Sequence, residues 1–293
     1  MSILVRADTK VLVQGITGKI GNQQTKLMLD YGTRIVAGAT PGRGGERVWE
    51  VPVYDSVKEA REHHSIDASL ILVPAPFAKD SCFEAMEAQI KLVVLITEHV
   101  PVHDAMEIRA MANAEGAVVI GPTTPGIIYP GKMKIGIMPG NMFCPGNVGL
   151  ISRSGTLTYE IAGNLCEVGI GQSTAVGMGA DSVVCTPLSE LLSMFEEDKE
   201  THLVVVVGEV GGTEEEEAAE YIKTEMKKPV VAYVAGHSVP PGKRMGHAGA
   251  IVQRGMGSAR SKVRALKEAG VKVAQRPTEV AELVKGVLKP EKG

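Results

Sequence analysis

Aromatic side chains are scarce in this chain: they make up 4% of it, and Trp49 is its single tryptophan. A core must then be assembled from Val, Ile, Leu, Ala and Met, the side chains that buried parallel sheets use. Closely spaced cysteines are missing too. Cys82, Cys144, Cys166 and Cys185 contain no Cys-x-x-Cys pair, which argues against a disulfide framework or a zinc site and for a reducing compartment. There is no basic excess: 31 Lys and Arg stand against 34 Asp and Glu, so the footprint of a nucleic-acid or acidic-membrane binder is absent. The apolar runs are only strand-sized, and residues 1–10 carry Arg6, Asp8 and Lys10 where a secretory leader would be apolar. A soluble, cytoplasmic protein is expected. No Gly-x-x-x-x-Gly-Lys-Ser/Thr occurs, so a triphosphate site of that type would have to come from another chain. Pro101 separates His99 from His103 and makes a shared helix face unfavourable, and no metal site is expected.

What is present is an alternation of short apolar runs with longer amphipathic ones, the two periods of a βαβ repeat. In the first half, strands are expected at 11–14, 34–38, 69–73, 92–97 and 117–120, with helices at 20–31, 56–63, 79–90 and 104–115. A second series places strands at 148–152, 173–176, 203–207, 229–235 and 271–275, with helices at 157–168, 187–196, 214–227, 259–269 and 278–288. Parallel strands need crossover connections, so the class is α/β. At 293 residues the chain is long enough for two cores. The boundaries expected are a first domain at 1–122, a Gly/Pro-rich connection at 123–146 and a second domain at 147–293. The acidic run 214–217 reads as a solvated helix start whose carboxylates suit the positive end of the helix dipole.

Two turns have the chemistry of anion sites. Gly15-Ile16-Thr17-Gly18-Lys19-Ile20-Gly21 follows the first strand and opens a helix, so its backbone can approach a pyrophosphate while the helix start offers N–H groups. An ordinary glycine-rich βα turn is the other reading. The second strand ends in Gly38-Ala39-Thr40-Pro41-Gly42-Arg43, without the acid that holds the ribose of NAD; the cation Arg43 favours a ribose bearing a phosphate, as in NADP or coenzyme A. In the second half, Ser152-Arg153-Ser154-Gly155-Thr156 turns into a helix in the same way, with Ser154 and Thr156 able to cap and the N–H groups able to cradle phosphate. A serine-hydrolase elbow is disfavoured because Gly-x-Ser-x-Gly is absent.

His247 lies in Pro240-Pro241-Gly242-Lys243-Arg244-Met245-Gly246-His247-Ala248-Gly249-Ala250, a segment with little helix or ladder potential. A neutral imidazole displayed there is a good nucleophile toward phosphorus, with Lys243 and Arg244 near to hold the transferred charge. A structural loop histidine is the alternative. Glu209, in Gly208-Glu209-Val210-Gly211-Gly212 at a strand end, would fix the imidazole tautomer if it reaches the ring; otherwise it is a surface carboxylate.

These blocks, together with Val73-Pro74-Ala75-Pro76, Ile96-Thr97-Glu98 and Leu157-Thr158-Tyr159-Glu160, resemble the α subunits of succinate–CoA ligases (succinyl-CoA synthetases) over essentially the whole chain. The resemblance implies a Rossmann-like CoA-binding domain followed by a flavodoxin-like phosphohistidine domain. It implies that Thr17, Gly18, Lys19, Ile20, Arg43, Ile96, Thr97 and Glu98 contact CoA, and that His247 is phosphorylated with Glu209 as its partner. Ser154, Gly155 and Thr156 would cradle phosphate, with Tyr159, Thr124 and Pro125 near the acid substrate. It also implies a β subunit of ATP-grasp fold that binds ATP or GTP with Mg²⁺, so that phosphate passes from nucleotide to histidine to acid before the CoA thiol attacks. Gly121-Pro122-Thr123-Thr124-Pro125-Gly126 stands where the family commonly has Gly-Pro-Asn-Cys-Pro-Gly, and 179–185 lacks its Gly-Gly-Asp-Pro-Ile. A related ligase for citrate or malate therefore stays open as the alternative, as does a non-catalytic module that senses CoA or a dinucleotide.

Overall fold

Two parallel sheets organise the computed structural model, which describes residues 2–236, 247, 249–251 and 257–288. They belong to two units: one is Leu4–Met138 with Val183–Thr186, and the other takes Met1–Ile3, Pro139–Ser182 and Pro187–Gly293.

In the first unit the strands are β1 (Lys10–Gln14), β2 (Arg34–Ala39), β3 (Arg47–Val48), β4 (Val51–Tyr54), β5 (Ala68–Ile71), β6 (Leu92–Leu95) and β7 (Val118–Ile120). Their order is β3-β4-β2-β1-β5-β6-β7, parallel except for the β3–β4 hairpin. Without β3 this is the doubly wound Rossmann order, with its switch point between β1 and β5. Helices α1 (Lys19–Tyr31), α2 (Val57–His63), α3 (Ala78–Glu87) and α4 (Val102–Glu115) make the connections. Their ends follow local chemistry: Ser56 caps α2 by accepting from Glu59 N–H, and α1 and α4 stop at left-handed glycines, Gly32 and Gly116. The core is aliphatic, built on residues such as Leu12, Ile71, Met86, Leu95 and Ile108.

Helices α5 (Gly155–Glu167), α6 (Leu188–Glu197), α7 (Glu214–Glu225), α8 (Ala259–Glu268) and α9 (Glu279–Leu288) belong to the second unit. Its strands β10 (Pro145–Ser152), β11 (Gln172–Gly177), β12 (Leu203–Glu209), β13 (Val230–Ala235) and β14 (Lys272–Ala274) are parallel in the order β14-β13-β12-β10-β11. Counted from β10, that is the flavodoxin-like order 2-1-3-4-5 read from the opposite edge, with the switch between β10 and β12. Every residue of β12 is buried, as expected of a central strand that reads Leu-Val-Val-Val-Val.

Three features lie outside the sequence reading. The Gly/Pro-rich stretch 123–146 holds an antiparallel hairpin of β8 (Gly126–Tyr129) and β9 (Met133–Gly136). Gly126 looks like a breaker in sequence but is a close approach: at φ +101°, a Cβ there would lie 2.0 Å from the Ile135 carbonyl oxygen. The β3–β4 hairpin was also unforeseen, since its turn residues Trp49 and Glu50 take φ of +50° and +66° without the usual Asn-Gly signal. Finally, Cys144 and Cys166 form a disulfide with Cα atoms 5.9 Å apart, against the expectation of no bridge. The fold brings the end of α5 beside the start of β10, a proximity that a spacing of 22 residues does not advertise. No helix among the described residues is long and apolar enough to cross a membrane.

Closing a loop of this length restricts the unfolded chain by about 3 kcal/mol. Reduction, or Cys166→Ser, is therefore expected to lower the melting temperature in calorimetry, and an unchanged transition in reductant would contradict a bridge in solution.

Candidate active site

In the first unit, β1 runs into Gly15, whose φ of +79° lets the backbone pass Leu72 beyond β5; a Cβ at Gly15 would lie 2.9 Å from the Leu72 carbonyl oxygen. Gly21 is tighter still, its ideal Cβ 2.1 Å from the Gly15 carbonyl oxygen, so α1 can start this close to the strand only with glycine there. Gly18 is the N-cap and supplies no side-chain bond, which leaves the first-turn N–H groups of α1 to an external acceptor, and Gly18, Lys19 and Ile20 are exposed. The Thr17 hydroxyl lies 3.2 Å from that of Thr40, joining the turns after β1 and β2. Ile96, Thr97 and Glu98 follow β6 on the same carboxyl edge, where Thr97 donates to the Val73 carbonyl at 2.7 Å and accepts the Thr123 N–H through its own carbonyl at 3.1 Å.

Arg43 is exposed, and Glu46 holds its guanidinium, with one bond from Nη2 to Oε2 at 2.7 Å and a second through Nε. This pairing raises the arginine pKa above its ordinary value and partly cancels the charge an anion would meet. Thr124 and Pro125 begin the β8–β9 hairpin: the buried Thr124 hydroxyl accepts from Gly126 N–H, and the Pro125 carbonyl from Ile137 N–H, both at 2.9 Å.

In the second unit, Ser154 is the N-cap of α5 and accepts from Leu157 N–H, whereas Thr156 belongs to the helix. Capping thus falls to Ser154 alone, and Gly155 and Thr156 lie in the first turn, whose N–H groups have no acceptor within the helix. Tyr159, one turn on, meets Phe143 edge-on at 6.3 Å, and burial pushes its pKa up. Strands β10 and β12 pair side by side, so the Ser154 turn and the Glu209 turn flank the switch point where α/β sheets bind ligands.

His247 and Glu209 meet there, with Nδ1 2.9 Å from Oε2. The carboxylate is 8% exposed and the imidazole 36%. An ionised carboxylate only accepts, so Nδ1 carries the proton and the ring's lone pair is on Nε2. Gly249, two residues on, is held by close backbone approaches. Gly211 is at φ +92° with an ideal Cβ 1.8 Å from the Gly249 carbonyl oxygen, and Gly249 N–H donates to the Ala180 carbonyl at 3.1 Å. Lys243 and Arg244, expected to hold the transferred charge, lie outside the described residues.

Behind Glu209 the structure corrects the reading of the acidic run. Glu215 is 0% exposed, and its Oε1 accepts from Glu209 N–H at 3.0 Å and faces Arg153 at 3.4 Å, while Oε2 takes the ammonium of Lys262. Burial opposes the charge on Glu215, yet Arg153 and Lys262 outweigh it and hold the carboxyl below its ordinary pKa. The signal was in the helical period. Glu215 shares a buried stripe with Ala218, Ala219 and Ile222, and Lys262 shares one with Ala259 and Leu266.

Residues 6–99 match the CoA binding domain family, and residues 151–272 match the CoA-ligase family. Succinate–CoA ligase [ADP-forming] subunit alpha 2 of Archaeoglobus fulgidus is 58% identical over 288 residues, covering 98% of this chain and 100% of that one. The corresponding alpha subunit of Aquifex aeolicus is 52% identical over 291 residues, 99% of this chain and 95% of its own. Among solved structures, the D541A mutant of ATP citrate lyase from Methanosaeta concilii, in complex with (3S)-citryl-CoA, superposes with a TM-score of 0.88 at 24% identity. It shares the fold over 99% of this chain, which spans about half (53%) of that longer polypeptide.

The Gly211 turn generates a stability test. A side chain there meets backbone and adopts a disfavoured φ, so Gly211→Ala is expected to cost about 2 kcal/mol or more. Urea unfolding should show a lower midpoint, and an unchanged midpoint would mean that the turn is not held as described.

Proposed function

The chain belongs to the α-subunit family of the ADP-forming succinate–CoA ligases, and from that premise we propose how its residues carry a phosphoryl group. It is a ligase subunit with a CoA-binding domain, and CoA and a carboxylic acid are its substrates. ATP with Mg²⁺ is assigned to a β subunit of ATP-grasp fold, in keeping with the missing triphosphate loop. Nε2 of His247 attacks the terminal phosphorus; the N–P bond forms as the bond to the bridging oxygen breaks, and ADP leaves. Nδ1–H donates to Glu209 throughout, so the carboxylate balances positive charge that develops on the ring. The acid's carboxylate oxygen then takes the phosphoryl group from Nε2. The CoA thiolate attacks the resulting acyl carbon, and inorganic phosphate departs.

Within this reading the first turn of α5, at Ser154, Gly155 and Thr156, cradles the travelling phosphate; Tyr159 is assigned to the acid substrate, as are Thr124 and Pro125. Thr17, Gly18, Lys19 and Ile20 take the CoA phosphates, Arg43 a ribose phosphate, and Ile96, Thr97 and Glu98 the body of the coenzyme. Succinate is the acid assigned. A cytoplasmic setting, where CoA and ATP are both supplied, completes the reading. The domain boundaries proposed remain 1–122 and 147–293, with 123–146 between them. The observation that carries the proposal is the Nδ1–Oε2 bond of 2.9 Å at the carboxyl edge of β12.

Incubation with the β subunit, Mg²⁺ and γ-labelled ATP is expected to give acid-labile, base-stable label that is absent from His247→Asn. Label retained in that variant would refute the assignment. Succinate with CoA should discharge the label faster than citrate or malate, whereas discharge by citrate alone would reassign the acid. For Arg43, Glu46→Gln removes the competing carboxylate and is expected to tighten CoA by about two- to fivefold at low salt in calorimetric titration. No change would remove Arg43 from the coenzyme site.

A further inference from the structure

The Glu209 turn is built around a second carboxylate, the fully buried one of Glu215. Gly208 has no side chain where Glu215 needs room: an ideal Cβ on Gly208 would lie 2.7 Å from Glu215 Oε1. That same oxygen accepts the backbone N–H of Glu209 at 3.0 Å. Arg153, 3% exposed, closes the other side, with Nη1 donating to the Gly211 carbonyl at 2.7 Å and lying 3.4 Å from the Glu209 carbonyl and from Glu215 Oε1. Three polar groups of one five-residue turn, the Glu209 N–H and the Glu209 and Gly211 carbonyls, therefore refer to two buried charges.

The charges also compete. Arg153 Nη2 is 3.8 Å from Glu209 Oε1, an ion pair in reach but not a hydrogen bond, and among the described residues neither the buried Glu209 Oε1 nor the buried Arg153 Nε has a hydrogen-bond partner. A buried guanidinium seeks the nearest carboxylate. With Glu215 engaging Arg153, Glu209 keeps its other oxygen on His247; without that engagement, the guanidinium would close the remaining gap and draw Glu209 away from the ring.

We infer that Glu215, acting with Arg153, is a positioning residue for phosphoryl transfer: it fixes the Glu209 backbone and keeps the Glu209 carboxylate available to His247. This rests on the phosphohistidine reading above. The rival account is purely structural, with Glu215 present only to neutralise Lys262 and join α7 to α8.

The αβ complex separates the two through single-turnover labelling of His247 from γ-labelled ATP, read beside melting temperature and CoA affinity, in Glu215→Gln, Lys262→Met and the double variant. Lys262→Met keeps the Glu215 contacts to Glu209 and Arg153, so it is expected to lose stability yet label at close to the wild-type rate. The double variant removes one charge of each sign and is expected to be more stable than Glu215→Gln, yet to label at least about tenfold more slowly than wild type. CoA affinity should be unchanged in all three. Rates that track melting temperature across the set would overturn the positioning role. A wild-type complex that takes no label would instead defeat the phosphohistidine reading itself, so the two failures are distinguishable.

Discussion

An ionised carboxylate can only accept a hydrogen bond, and this one-sidedness governs the site. With Glu209 Oε2 2.9 Å from Nδ1 of His247, the imidazole proton is committed to the buried side and the lone pair to Nε2. A ring tautomer and a counter-charge are thereby set by a single contact. The carboxylate ends a central buried strand, which makes it rigid, and Gly249, two residues beyond the histidine, packs tightly against Gly211.

Both sheets obey the same topological rule. In an open parallel sheet the connections diverge where the strand order reverses, and the carboxyl ends there face a crevice. The first unit reverses between β1 and β5 and places its uncapped α1 start there; the second reverses between β10 and β12 and places Ser154 and Glu209 there. Glycine is needed at Gly15, Gly21 and Gly211 because backbone occupies the space a Cβ would take. The helix starts at these edges are shaped by main-chain geometry, with a few side chains supplying direction and charge.

Much of this was legible in one dimension because the periods were unambiguous. Valine-rich runs such as 203–207 marked central strands, and glycine turns marked the helix starts that follow β1 and β10. The pairing of Glu209 with His247 could be named as a condition, since a strand end and a loop in one domain can meet, but its distance could not. Glu215 was misread because a run of four glutamates looks solvated, although one of the four falls on the apolar stripe of α7. Its partner Lys262 lies on another helix, and only packing brings the two together. The Cys144–Cys166 bridge escaped for the same reason, as proximity across the fold leaves no mark in spacing. Trp49 and Glu50 form a turn at positive φ without glycine, a choice that local propensity opposes.

The central claim, that Glu209 assigns the two ring nitrogens their roles, is open to nitrogen-15 NMR of ring-labelled histidine in the phosphorylated αβ complex. Phosphorus coupled to Nε2 of His247, with a proton retained on Nδ1, is the predicted result. Phosphorus on Nδ1, the nitrogen that faces Glu209, would contradict the account.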